Sequence, residues 1–293
     1  MRVVVAGASG LIGSALVTEL RSAGHDVLRL VRRVARGADE HSWDPPAGGI
    51  DDGALDGADA VVNLCGAPIA GGRWSHARRQ LLVNSRVEPT EVLATAVAER
   101  GIPLLVNASA AGYYGDKGDQ VVEESAPRGA GFLADLCHRW ESATERAAEA
   151  GARVVRLRTG HVLAREGGLV GTLRPLFKLA LGGRLGNGRQ YMPWIHVTDQ
   201  AAAIRHLIEH DTLSGAVNVC SPAPVTNAEF TAAFARAARR PAPWFAPSPV
   251  LRLAVGDTDG EILYSQRMVP KALADDGFTH SHVDLDMTLS SLL

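Results

Sequence analysis

The segment "RVVVAGASGLIG" sets Gly7, Gly10 and Gly13 directly after a β-branched run and at the mouth of a helical stretch, "SALVTELRSAG". A second β-branched run, "DVLRLVRR", follows at the distance of one βαβ unit. In that setting the three glycines serve a tight turn, a close backbone approach to a diphosphate, and close helix–strand packing. The helix N-terminus adds partial positive charge facing the anion. Gly7, Ser9, Gly10, Leu11, Ile12 and Gly13 are thus candidate dinucleotide-binding residues, with a purely structural turn as the plainer alternative.

The same rhythm continues. "ADAVVNLCG", "VEPTEVLATAVAERG", "PLLVNASA", "GFLADLCHRWESATE" and "ARVVRLRTG" alternate strand-like and helix-like character. Glycine stops in "SAGHD", "ERGIP" and "EAGAR" separate each helix from the next strand. Such alternation predicts an α/β fold, a Rossmann-type doubly wound parallel sheet with helices on both faces. The rhythm breaks near residue 163. The expected division is a dinucleotide-binding domain over 1–163, rejoined by a strand near 216–220, and a small C-terminal α/β lobe over 164–293, with a ligand cleft between them.

Composition narrows the partners. With 46% apolar and 21% charged residues and a net charge of −2, the chain is expected to be globular and carries no field drawing it to nucleic acid or an anionic membrane. A small-molecule substrate is expected. Cys65, Cys137 and Cys220 are scattered and form neither a disulfide framework nor a metal pair, so the reading is a reducing, cytoplasmic setting without a metal. No apolar run approaches a membrane span, and the N-terminal segment is too short for a signal peptide. The second strand ends in Arg32 and Arg33, where NAD binders usually carry an acid for the ribose. A guanidinium there suits a 2′-phosphate, so the expected cofactor is NADP (NADPH). A solvated basic turn is the alternative.

These motifs together resemble the extended and atypical branch of the short-chain dehydrogenase/reductase superfamily, near its NAD-dependent epimerase/dehydratase group. Within it, "SRVEPT", "SAAGYYG", "FLADLCHRWE", "RTGHVL", "MPWIHVTD" and the tail "RRPAPWFAPSPVLRLAVGD" resemble "epimerase family" proteins with a small C-terminal domain of unknown function. The resemblance implies that "VVNLCGAP" lines the cofactor, which adds Cys65 and Gly66 to the binding candidates. It places Asn84 at the family's fourth-helix asparagine, and it makes a homodimer plausible. It also exposes a gap. The family uses Ser, Tyr and Lys, the lysine lowering the tyrosine pKa and the tyrosine exchanging the proton. Aligned on Glu141, Leu133 stands at the tyrosine and Cys137 at the lysine; aligned on "YYG", Ala110 stands at the serine, one residue after Ser109.

Replacement proton donors are therefore sought nearby. Tyr114, Ser109 and His196 are the catalytic candidates, with Tyr113, Lys117 and His161 behind them. Each has a bland reading: a packing aromatic, a solvated lysine, a satisfied histidine. Cys137 falls on the apolar stripe Leu133, Leu136, Trp140, so a buried thiol is its default. His196 and Asp199 could instead be architectural, and Arg189, Gln190 and Trp194 could line a substrate site. Two functions follow: an NADP(H)-dependent oxidoreductase or epimerase-like protein acting on a small carbonyl or sugar-type compound, or a non-catalytic NADP(H)-responsive sensor or scaffold.

Overall fold

The computed structural model describes residues 1–69, 72–247 and 260–293; residues 248–257 of the tail motif lie outside them. β1 (Arg2–Ala6) runs through the glycine loop into α1 (Leu11–Ser22) and returns as β2 (Asp26–Val31), parallel to β1 with Arg2 opposite Asp26. β3 (Glu40–Asp44) continues outward in parallel, and β4 (Gly49–Ile50) closes that edge antiparallel. On the other side of β1 stand β5 (Ala60–Asn63), β6 (Leu104–Ala110), β8 (Arg153–Thr159) and β13 (Gly215–Val219), all parallel. The short strands β7 (Val121–Val122), β9 (His161–Leu163), β10 (Gly183–Leu185), β11 (Tyr191–Met192) and β12 (Trp194–His196) pair outside this sheet. The order β13-β8-β6-β5-β1-β2-β3-β4 reverses between β1 and β5. The crevice at the carboxyl ends of those two strands is where an open α/β sheet receives its ligand.

Strand alternation decides the layers. Val3 and Val5 of β1, with Val106, Leu157 and Val217, bury against Leu16 and Leu20 of α1 and Ile204 and Leu207 of α6 (Val197–Glu209). Val4 and Ala6, with Leu105 and Val154, bury against Leu93 and Val97 of α2 (His76–Arg100) and Ala147 of α4 (Glu145–Glu149). A parallel sheet buried on both faces needs such near-continuous apolar strands.

The boundary at residue 163 is not a boundary of the sheet. β13 and α6 arrive from beyond it, α6 lying beside α1 on the same face. What remains is a smaller lobe around α5 (Gly168–Lys178) and α7 (Asn227–Ala238), closed by the helix Leu285–Leu292. Its separate core contains Phe177, Trp194, Phe230, Phe234 and Leu289, with the rings of Phe177 and Phe234 centred 4.2 Å apart. No helix among the described residues is long and apolar enough to cross a membrane.

The outer strands are joined by charge. Arg33, just past β2, donates from both terminal nitrogens to the carboxylate of Glu40 at the start of β3, each at 2.7 Å, and the Arg36 amide adds a third donor at 2.9 Å. Arg33 first, then the Arg36 amide, draws the Glu40 carboxyl down to about 2. A carboxyl lowered on folding stabilises the fold above its unfolded pKa and loses that contribution as pH falls through the folded one. Glu40→Gln should therefore be less stable than the parent at pH 6, and the gap should shrink steadily as pH falls from the usual carboxylate range toward the folded value of about 2; urea unfolding across that range reads this.

Candidate functional site

The glycine loop is built for close approach. Gly7 has φ +80°, and a Cβ there would lie 2.8 Å from the carbonyl carbon and oxygen of Leu64 at the end of β5. A Cβ on Gly13 would lie 2.2 Å from the Gly7 oxygen, so the helix can sit against the turn only as glycine. Gly10 caps α1 without a side-chain acceptor for the first-turn amides. The first-turn N–H groups thus have no side-chain cap, the arrangement that suits an anion at a helix N-terminus. Ser9 is exposed and Leu11 and Ile12 are half-buried; a Cβ on Gly168, in the first turn of α5, would meet the Leu11 side chain at 3.0 Å.

The two arginines after β2 part company. Arg33 is committed to Glu40, whereas Arg32 is exposed and pairs with no carboxylate among the described residues. Its charge reaches Cys65, opposing the burial that pushes that thiol up to about 12. Cys65 donates its amide to Asn63 Oδ1 at 3.1 Å, and Asn63 in turn donates to Thr90 and Asn107 at 2.9 and 2.8 Å. The loop after β5 is therefore held rigidly from below. Asn84 accepts from Gln80; the α2 side chains that reach this loop are Arg78 at Pro68, Ser85 at Ala67, and Arg86 against Gly66.

Beyond β6 lies a buried polar chain. Ser109 Oγ donates to Glu141 Oε1 at 2.7 Å, and Arg158 of β8 donates to both Glu141 oxygens, each at 2.9 Å. Arg158 Nη1 also donates to the Tyr114 hydroxyl at 3.1 Å, which donates onward to Asn218 of β13 at 2.7 Å. Tyr114 is fully buried, and burial pushes its hydroxyl up to about 12. The Arg158 guanidinium carbon lies 3.5 Å from the centre of the Tyr113 ring. Both polar groups expected to serve as proton donors here, Ser109 and Tyr114, are enclosed and fully engaged.

α3 (Phe132–Ser142) presents Leu133 and Cys137 to Gly112, where a Cβ would lie 3.2 Å from Leu133 Cβ and 3.6 Å from Cys137 Sγ. Burial pushes the Cys137 thiol up to about 12. At 3% exposure it packs as a small apolar group. The helix is anchored from the far lobe: Glu261 accepts from the Phe132 and Leu133 amides at 2.6 and 2.7 Å.

His196 caps α6, accepting from the Thr198 amide at 3.2 Å, and its ring stacks on His282 at 3.8 Å. Burial, then the neighbouring His282, lowers its pKa. Asp199 accepts from the Ser281 and His282 amides at 3.1 and 2.8 Å. This cluster joins the lobes. His161 is exposed, and Trp194 is buried in the lobe core with its indole donating to Ala223 O. Arg189 and Gln190 line an open cavity of about 340 Å³ with Asp116, Asp119, Asn187 and Ser265. Lys117 is half-buried beside it, its amide bonded to Ser265 O. Sequence reading missed Arg158, although a visible signal exists: "RVVRLRT" carries Arg156 and Arg158 at alternate positions of a central strand, and charged residues are rarely buried unless paired.

The model of the NAD dependent epimerase/dehydratase family matches residues 3–220, and that of a domain of unknown function (DUF1731) matches residues 246–292. The chain belongs to the NAD dependent epimerase/dehydratase family. It is 53% identical over 281 residues to epimerase family protein MT2273 of Mycobacterium tuberculosis, covering 96% of this chain and 93% of that one. It is 34% identical to epimerase family protein SDR39U1 of Bos taurus over the full length of both. The crystal structure of human SDR39U1 with NADPH superposes with a TM-score of 0.91 at 32% identity, covering 100% of this chain and 99% of that one. The family's Rossmann-type sheet is therefore this chain's sheet, and the C-terminal match accounts for part of its smaller lobe.

The buried chain carries a stability prediction. Tyr114→Phe leaves Asn218 Oδ1 and an Arg158 N–H without their partner, which costs about 1–3 kcal/mol for a buried group. Denaturant unfolding at constant pH should show that loss, and an unchanged midpoint would contradict the enclosed geometry.

Proposed function

We propose that this family member is an NADP(H)-dependent oxidoreductase acting on a small carbonyl compound in the cytoplasm. The observation that carries the reading is the uncapped glycine turn with Arg32 at the end of β2. The NADPH in the crystal structure of human SDR39U1 supports the same cofactor. The Gly7–Gly13 turn, with the amides of Leu11 and Ile12, would hold the diphosphate, and the turn has room only for backbone there. Arg32 would pair with the 2′-phosphate, and the backbone at Cys65 and Gly66 would border the adenosine-side ribose. When bound, the cofactor supplies a hydride.

The protein's own contribution is positioning and electrostatics rather than a resident acid. Ser109 and Tyr114 are held by Glu141, Arg158 and Asn218, His196 by α6 and His282. These three residues fix the walls of the site, and the proton reaches the substrate oxygen from water. The absence of a tyrosine–lysine pair on α3 favours slow turnover, and it also motivates a second reading, a cofactor-responsive sensor without turnover.

Two measurements separate these. Arg32→Ala should weaken NADPH binding about tenfold or more, the loss of a charge-assisted phosphate contact, while NADH binding stays unchanged; nicotinamide fluorescence titration reads both. Equal effects on the two dinucleotides would remove Arg32 from the 2′-phosphate. Substrate-dependent NADPH oxidation across aldehydes, ketones, quinones and enones supports the oxidoreductase; tight NADPH binding with no oxidation by any of them supports the sensor.

A further inference from the structure

Two guanidiniums are buried beside the crevice, and they are treated differently. Arg158 is 4% exposed and meets Glu141 in a two-point ion pair. Arg86 is 7% exposed and has no carboxylate partner among the described residues. It donates to neutral oxygens instead, the carbonyls of Ala67 at 2.9 Å and Leu82 at 3.0 Å and the Ser85 hydroxyl at 3.4 Å, and its guanidinium carbon lies 5.1 Å from the centre of the Trp140 ring. Carbonyl dipoles and a ring face orient a cation but do not neutralise it. A buried charge without a counter-ion is unfavourable and persists where something offsets it.

The surroundings reinforce the imbalance. Burial draws the Arg86 pKa down to about 10 against an opposing effect of Cys137, with a smaller lowering from Arg78. Arg78 itself donates to Pro68 O, so two cationic side chains converge on the loop 66–68. Gly66 is part of the arrangement: a Cβ there would lie 3.1 Å from the Arg86 guanidinium carbon, so the guanidinium packs closely against the backbone just past β5.

Positive charge therefore stands at three places along the crevice: Arg32 after β2, the uncapped N-terminus of α1, and Arg86 past β5 toward α3. On the reading proposed above, the phosphates of NADPH occupy the first two. The third lies on the α3 side, near Leu133 and Cys137, and no cofactor phosphate is left for it. We propose that Arg86 receives an anionic oxygen of the substrate, which narrows the substrate class to a carbonyl compound bearing a carboxylate or phosphate group. This inference rests on the cofactor placement, and Arg86 acts in it as a specificity-determining residue. Arginine's planar fork has five N–H donors, more than the three bonds to Ala67, Leu82 and Ser85 use, and it suits such an oxyanion.

The test uses the full chain as parent, Arg86→Gln and Arg86→Lys, each checked for a cooperative thermal transition. NADPH affinity is measured first by nicotinamide fluorescence. Oxalate and inorganic phosphate are then titrated calorimetrically into the NADPH complex at constant ionic strength, and again into protein without NADPH. The expected result is that Arg86→Gln weakens both anions about tenfold or more while NADPH affinity stays within about twofold, and that Arg86→Lys keeps part of the anion affinity. Anion binding that is equal in parent and Arg86→Gln, or absent from both, overturns the proposal. A parallel loss of NADPH affinity in Arg86→Gln also overturns it, by assigning the charge to the cofactor. Failure of the parent to bind NADPH at all sinks the cofactor reading instead, and the titration without NADPH still decides whether Arg86 holds an anion.

Discussion

The ion pair between Arg158 and Glu141 holds the carboxyl-terminal end of β6, β8 and β13 together. Arg158 comes from a central strand and Glu141 from the helix that packs over its carboxyl end, and each charge is almost wholly withdrawn from water. Taken singly, either would be costly to bury, and removing one partner of such a pair destabilises by about 3–5 kcal/mol. Paired in two-point geometry and surrounded by Ser109, Tyr114 and Asn218, they satisfy one another and recruit β6, β8 and β13 into one polar row. The position of α3, and so of Leu133 and Cys137, follows from that row at one end and from Glu261 at the other.

This arrangement explains how a family member can lack a tyrosine and lysine on α3 and keep its shape. The helix is fixed by its glutamate and by capping from the smaller lobe, neither of which depends on the residues that face Gly112. Leu133 and Cys137 fill the space by packing. On the function proposed above, the chemistry of the site passes to charges on other elements, chiefly arginines, which stay cationic even in a partly desolvated crevice.

Much of the fold could be read from the chain because its determinants are local. The glycine turn, the β-branched runs and the glycine helix stops are short-range patterns, and the strand near 216–220 stands out as Gly215–Val219 for the same reason. What could not be read depends on contacts between distant residues. Arg32 and Arg33 look alike in sequence, and only the arrival of Glu40 on the neighbouring strand separates them. Tyr114 looks like an available hydroxyl until Asn218, 104 residues away, closes over it. Arg86 gave no signal at all, since an unpaired buried charge is defined by what is missing around it.

The pairing of α1 with α6 has a kinetic side. One face of β1 and α1 is covered by Ile204, Leu207 and Ile208, and the same core draws on Ile195, Val217 and Val219. A chain grown only through the first half of the sheet would leave that face open to water. Such long sequence separation raises the loop-closure cost that precedes the stabilising contacts, and it slows folding. The nascent dinucleotide-binding half is thus a sticky intermediate, in need of protection from aggregation until α6 has been made and docked.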